Sequence, residues 1–305
     1  MMNQSPSTYD DPMNNFLIHR SESGLLKKPF VHGKSRLEQT NTVTDKSLSK
    51  VLNEFSSHGL NDLNNAKLMN RVDSKFILPI SFLPDLLLQL NSFYSILEIN
   101  GKRTSHYHNQ YFDTPDMALY RAHHNGKLNR YKVRRRHYLD TNTAFLEVKL
   151  KNNQKRTIKT RIKLSGQTGE HALCSQFIQE QMGTTSNNLD ISQQSGYQRI
   201  ALANEAQAER LTLDFDLWYQ NRRGNNKVTL PGFFIAELKQ VKKSKRSPFY
   251  QLMSANNIFP SAFSKYCIGC ALLYNSSIKT NRFKPILSQL EKYNQNQAIS
   301  FHFIL

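Results

Sequence analysis

Hydrophobic and polar residues alternate most strictly between Arg130 and Leu164, RYKVRRRHYLDTNTAFLEVKLKNNQKRTIKTRIKL. Successive side chains of a strand point to opposite faces, so a period of two sorts residues onto two sides. In the first part Arg130, Lys132, Arg134 and Arg136 fall two apart. In the second, Glu147, Lys149 and Lys151 alternate with Leu146, Val148 and Leu150; in the third, Lys159, Arg161 and Lys163 alternate with Ile158, Ile162 and Leu164. The stretch predicts three strands, each with a charged face and an apolar face. Charges turned toward water give this alternation, as does a basic face that binds RNA or DNA, or charges that line the inside of a barrel.

The remaining pattern predicts further strands over 71–78, 104–113, 195–203, 209–219 and 233–241. Leu48, Val51, Leu52 and Phe55 recur at helical spacing over 46–57. More helices are predicted over 60–69, 84–91, 117–124, 169–183, 248–257 and 262–274, and Asp113 to Asp116 reads as a turn and helix cap. The segments 221–231 and 242–246 read as exposed loops. About eight strands, mostly antiparallel and interleaved with helices, predict an α+β domain, and that number is enough to close a barrel. Residues 1–44 show no sustained period and read as a disordered segment. The folded domain is expected over 45–275, with a polar, frayed tail over 276–305.

Charge sharpens this reading. The chain carries 41 Lys+Arg against 23 Asp+Glu, a net charge of +18. That balance implies an acidic partner such as a nucleic acid, a phosphorylated metabolite, polyphosphate or an anionic membrane surface. With 3 cysteines there is no disulfide scaffold. No basic segment leads into an apolar run, and no stretch approaches the length of a membrane span, which predicts a soluble cytoplasmic protein with no transmembrane segment.

Three acid-x-base units lie far apart in the chain: Asp73 and Lys75, Glu147 and Lys149, Glu237 and Lys239. Each puts a carboxylate beside a cation on one strand face. A basic surface holding a few carboxylates suits a polyanion with a divalent cation, because Lys and Arg take phosphate oxygens and carboxylates take the metal.

Motifs in order along the chain carry a resemblance. They are RVDSKFILP at 71–79, YFDTPDMALYRAHHNG at 111–126, RYKVRRRHY at 130–138, FLEVKLK at 145–151, IKTRIKL at 158–164 and GYQR at 196–199. RLTLDFDL at 210–217, FIAELKQ at 234–240 and FSKYCIG at 263–269 complete the set. Together they resemble the VTC domain of polyphosphate polymerases, within the triphosphate-tunnel (CYTH-like) superfamily. The resemblance implies a mostly antiparallel, eight-stranded β-barrel tunnel with flanking helices and a basic interior. It implies transfer of the γ-phosphoryl group of ATP onto polyphosphate with a divalent cation, Mn²⁺ or Mg²⁺.

Carried over by motif, Lys75, Arg134, Arg136, Lys149, Lys159, Arg161, Arg199 and Lys265 are the expected catalytic cations. Tyr197 matches a substrate-binding tyrosine, and Lys132 and Lys239 share the charged strand faces as further substrate contacts. Glu237 matches the metal-binding carboxylate. Glu147 and Asp73 are further candidate ligands, Asp73 being one methylene shorter than the Glu common at tunnel mouths. The expected partners are ATP and polyphosphate, with no sequence-specific nucleic acid. Tunnels of this superfamily also hydrolyse triphosphate or cyclise ATP, so a tripolyphosphatase or nucleoside triphosphatase stays open, as does a non-catalytic polyphosphate or nucleic-acid binder.

Other features are given blander readings. Cys267 and Cys270 form a single pair in an apolar run and read as buried helix cysteines. His106 and His108 share a strand face without a third placed ligand. Arg222, Arg223 and the basic residues of 242–246 read as loop charge that steers polyanions. No phosphate-binding Gly-rich loop, Ser/His/Asp set or His-Glu-x-x-His motif appears.

Overall fold

The computed structural model describes residues 45–60, 62, 71–154, 156–166, 170–183 and 188–302. The segment expected to be disordered, 1–44, and nearly all of the helix expected over 60–69 lie outside them.

The strands are β1 (Ser57–His58), β2 (Val72–Pro79), β3 (Ser95–Leu97), β4 (Ser105–Asp113), β5 (Arg130–Tyr138) and β6 (Thr143–Lys151). They continue with β7 (Thr157–Leu164), β8 (Asp190–Asn204), β9 (Glu209–Asn221), β10 (Lys227–Leu230) and β11 (Phe233–Gln240). The helices are α1 (Asp45–Asn53), α2 (Leu83–Leu90), α3 (Ala118–His124), α4 (Glu170–Met182), α5 (Pro248–Ala255), α6 (Lys265–Leu273) and α7 (Lys284–His302). Eight strands form one continuous path, β2-β11-β9-β8-β4-β5-β6-β7, with β1, β3 and β10 attached beside it. Every pairing along the path is antiparallel. The eight predicted strands are the strands of this path. Among the described residues no ladder joins β2 to β7, so the sheet curls into an open, barrel-like tunnel.

The period of two decides which residues the sheet buries on its outer face. Phe76, Leu78, Leu213, Phe234 and Leu238 pack there against Leu86, Leu87 and Phe249 of α2 and α5. Farther along, Val133, Leu146 and Val148 pack under Phe177 and Met182 of α4. Burying side chains of this size stabilises by roughly 1.5–3 kcal/mol each, which gives these strands a fixed inside and outside. The cover is incomplete at β7: Ile158, expected beneath a helix, is 50% exposed because α4 packs over the other end of the strand.

The opposite face divides into a charged part and an apolar part. Ile77, Leu217, Tyr219, Phe233 and Ile235 form the apolar part, packed against Ile268 and Leu273 of α6 and Leu290 of α7. Gly269 lets α6 lie this close, since a Cβ there would stand 2.5 Å from the Tyr219 ring. Along β9 the sorting survives because of a bulge. Asp216 takes a left-handed conformation (φ 51) where the register with β8 shifts. The extra residue sends Leu217 inward and Trp218 outward.

Two expectations are corrected. The segment 221–231 is not all loop, because β10 pairs with the end of β9; it was too short to register as a period. The polar tail does not fray at 276, because α7 docks on the sheet. Leu290 is buried, and Asn294 Oδ1 accepts a hydrogen bond from the Gly232 amide at 3.0 Å.

Candidate active site on the inner face

Curvature brings distant strands to one short segment. Lys75 of β2 donates to the Phe263 carbonyl at 3.2 Å, and Lys132 of β5 donates to Ser264 Oγ at 2.9 Å. Those strands are first and sixth in the path, and a flat sheet would hold them roughly 24 Å apart. The next residue, Lys265, bonds Asp214 of β9. Residues 263–265 are thus gripped from three sides of the inner face. Ser264 caps α6 by accepting from the Cys267 amide at 3.3 Å, so the start of that helix is part of the site.

Three carboxylates, two buried and one half-buried, organise the cations around them. Glu147, with 0% exposure, takes Arg134 at 2.5 Å and Lys159 at 2.7 Å. Asp214 accepts from Arg199 Nε at 2.5 Å and Nη2 at 2.8 Å, and from Lys265 as well. Glu237 stands 3.0 Å from Lys239 and 3.5 Å from Lys75. Burial alone would raise each carboxyl, and the neighbouring cations overcome it. Glu147 and Glu237 are held well below the usual carboxylate range, and Asp214 is lowered too.

An aromatic pad supports part of this charge. Tyr107 and Tyr197 stack with centroids 5.0 Å apart. Arg136 bonds Asn109 Oδ1 at 3.0 Å and Tyr197 Oη at 2.8 Å, while Arg199 and Lys265 stand over the Tyr197 ring at 5.4 and 4.5 Å. Arg161 lies over Phe145 at 4.4 Å.

One row of the sheet sets lysine against lysine across three strands. In the register of β5, β6 and β7, Lys132 lies opposite Lys149 and Lys149 opposite Lys159. Like charges directly opposite each other repel. Lys132 turns to Ser264 and Lys159 to Glu147. Lys149 has no hydrogen-bond or ion-pair partner among the described residues. The charge of Arg134, then burial, pushes its ammonium well below the usual lysine range. Such an arrangement calls for an anion.

The VTC domain family matches residues 70–274, more than half of the chain. The chain belongs to the VTC family. No curated protein matches it. A candidate adenylate cyclase from Bacillus halodurans is similar at 15% identity with a TM-score of 0.44, covering 64% of this chain and 94% of its own. A candidate adenylyl cyclase from Hippeastrum, described as having a dominant triphosphatase activity, is similar at 14% identity and a TM-score of 0.42, covering 66% of this chain and 95% of its own.

The VTC family implies a divalent cation, and the residues differ in how well they fit one. Among the described residues no three His, Cys, Asp or Glu side chains gather as a metal cage. Glu237 fits a site with one carboxylate completed by substrate phosphates, a usual arrangement for Mg²⁺. It keeps 18% side-chain exposure among cations that a phosphate can draw away. Glu147 fits less well, being closed off between Arg134 and Lys159. Asp73 is exposed at the start of β2 and bonds Arg71 at 3.1 Å.

Every cation predicted for the site lies on this inner face or at the start of α6. The prediction missed Asp214, Tyr107, Asn109 and Ser264. Asp214 was detectable: Arg210, Thr212 and Asp214 alternate with Leu211, Leu213 and Phe215. The features set aside have local partners or are buried. His108 bonds Gln194 at 3.0 Å, His106 lies 3.3 Å from Asp140, and Cys267 and Cys270 are buried on α6. Among the described residues no helix is long and apolar enough to cross a membrane.

Proposed function

We propose that this chain is a metal-dependent polyphosphate polymerase that transfers the γ-phosphoryl group of ATP onto a polyphosphate chain along the inner face, in the cytoplasm. The observation that carries the reading is the Lys132–Lys149–Lys159 row, with Lys149 unneutralised. A polyanion supplies the missing charge. Family membership supports polyphosphate as that polyanion.

The chemistry asks little covalent work of the protein. A terminal oxygen of the acceptor chain forms a bond to the γ-phosphorus. The bond from that phosphorus to the β,γ-bridging oxygen breaks, and ADP leaves with the bridging oxygen. Lys149, Lys159 and Arg161 take non-bridging oxygens, and Lys75, Lys132 and Lys239 hold the rest of the chain. Arg134, Arg136, Arg199 and Lys265 are fixed by carboxylates and hydroxyls, so they present charge without reorganising as the transition state forms. A divalent cation held at Glu237 would neutralise and orient phosphate oxygens.

Purified protein incubated with ATP and Mn²⁺ is expected to yield long phosphate chains on a gel. Glu237→Gln should remove polymer formation. Lys149→Met should lose polyphosphate binding while melting at a slightly higher temperature than wild type, because relieving opposed like charges is worth up to about 1 kcal/mol. Orthophosphate from tripolyphosphate with no polymer would replace synthesis by hydrolysis. Tight polyphosphate binding with neither product would make the protein a binder.

A further inference from the structure

The outer face of the sheet is covered in two places. One apolar cluster lies under α1, α2 and α5, and another lies under α4. Between them, two cross-strand rows point outward and join neither cluster. In one row Trp218 of β9, Gly196 of β8, His108 of β4 and His137 of β5 are register neighbours. In the next row Lys227 of β10, Gln220, Gln194 and Gln110 are neighbours. Trp218, His108 and Gln194 each keep part of their surface exposed. Trp218 joins none of the apolar clusters.

The first row is built as a ring surface. Trp218 leans across Gly196, where a Cβ would stand 2.6 Å from indole Cε2. The gap lets the indole reach His108, with centroids 5.7 Å apart and planes within 26°. His108 is fixed at 3.0 Å from Gln194 Oε1. Burial lowers its pKa from 6.5, so the imidazole presents a neutral ring at pH 7. The Lys227 ammonium stands 5.0 Å from the indole centroid.

Rings, amides and a cation on an open sheet face are the parts that hold unpaired nucleotides. Bases stack on the rings whatever their sequence, amides reach base edges, and lysine takes the phosphate. A neutral sugar would use the rings and amides but would gain nothing from Lys227 or from the net charge of +18. We propose that this outer face, centred on Trp218 and His108, binds single-stranded nucleic acid without sequence preference. It lies on the side of the sheet opposite the cationic inner face, so both faces can be occupied together.

The chain has 1 tryptophan, so its emission reports this face. The protein, with and without saturating inorganic polyphosphate, is titrated with an unstructured, fluorescein-labelled oligothymidylate. Tryptophan emission should fall and fluorescein anisotropy should rise in both conditions. Trp218→Ala and His108→Ala should each weaken oligothymidylate binding by roughly 10-fold, the worth of a lost base stack, and leave polyphosphate binding unchanged. Unchanged emission, variants that bind as wild type, or loss of binding when polyphosphate is present would each overturn the proposal. So would a neutral oligosaccharide that quenches the indole where oligothymidylate does not.

Discussion

Glu147 is fully buried and held by Arg134 and Lys159. Its ordinary value is 4.5, and in the folded protein those cations and Arg136 hold it well below that despite burial. A depressed carboxyl makes the unfolded chain bind the proton more readily. Its stabilisation is therefore complete above pH 4.5 and is lost as pH falls through the folded value. Glu147→Gln should lower stability at neutral pH by about 3–5 kcal/mol, the cost of stranding buried charge. It should also flatten the acid limb of the stability profile. Urea melts at neutral and acid pH check both, and a variant with the wild-type acid limb would show that another group carries it. The motif at 145–151 made Glu147 and Lys149 look like partners because they are two apart. They are not bonded, since Glu147 is neutralised across the sheet by neighbouring strands. Spacing along one strand reports a shared face; it does not report the register that decides which charges meet.

At the scale of elements, α6 does more than its sequence suggests. YCIGCALLY reads as a buried helix, and it is one. Its placement rests on Gly269 against Tyr219 and on Ser264, which caps the helix and also receives Lys132. In an unconstrained helix Gly→Ala stabilises by about 1 kcal/mol. Here Gly269→Ala should destabilise by roughly 1–3 kcal/mol through overpacking. It should also weaken polyphosphate binding, because α6 carries Ser264 and Lys265 into the site. A thermal melt with a binding titration tests this, and a stabilised variant would mean that α6 stands off the sheet. The strands of the main path were legible because one face of each must be apolar. The short strands β1, β3 and β10 were not, because two to four residues give too few alternations. The helix α7 was hidden by its polar composition; a few apolar residues, Leu290 among them, suffice to dock it.

At the scale of the whole molecule, the inner face gathers Lys and Arg from β2, β5, β6, β7, β8 and β11 around three carboxylates, Glu147, Asp214 and Glu237. The free protein holds this excess at a cost that a bound polyanion relieves. Inorganic polyphosphate should therefore raise the melting temperature with its concentration. At about 100 times its Kd the linkage is worth about 2.7 kcal/mol. Added salt should shrink the shift, since screening weakens attraction between exposed charges. Differential scanning fluorimetry over polyphosphate and salt series measures it, and no shift at low salt would mean that the inner face is not a polyanion site.

The sequence by itself determined the eight main strands, the sign of the charge and the separation of charged from apolar faces, since each of these follows from a local period or a count. It also carried the VTC motifs. Only the tertiary structure decided which charges are neutralised, because Arg134 meets Glu147 and Arg199 meets Asp214 through register between strands. Curvature alone brought Lys75 and Lys132 to the start of α6. The bulge at Asp216 and the gap at Gly196 turned the single tryptophan outward beside His108. Those outcomes depend on residues distant in the chain approaching within bonding distance, and a one-dimensional pattern holds no record of that approach.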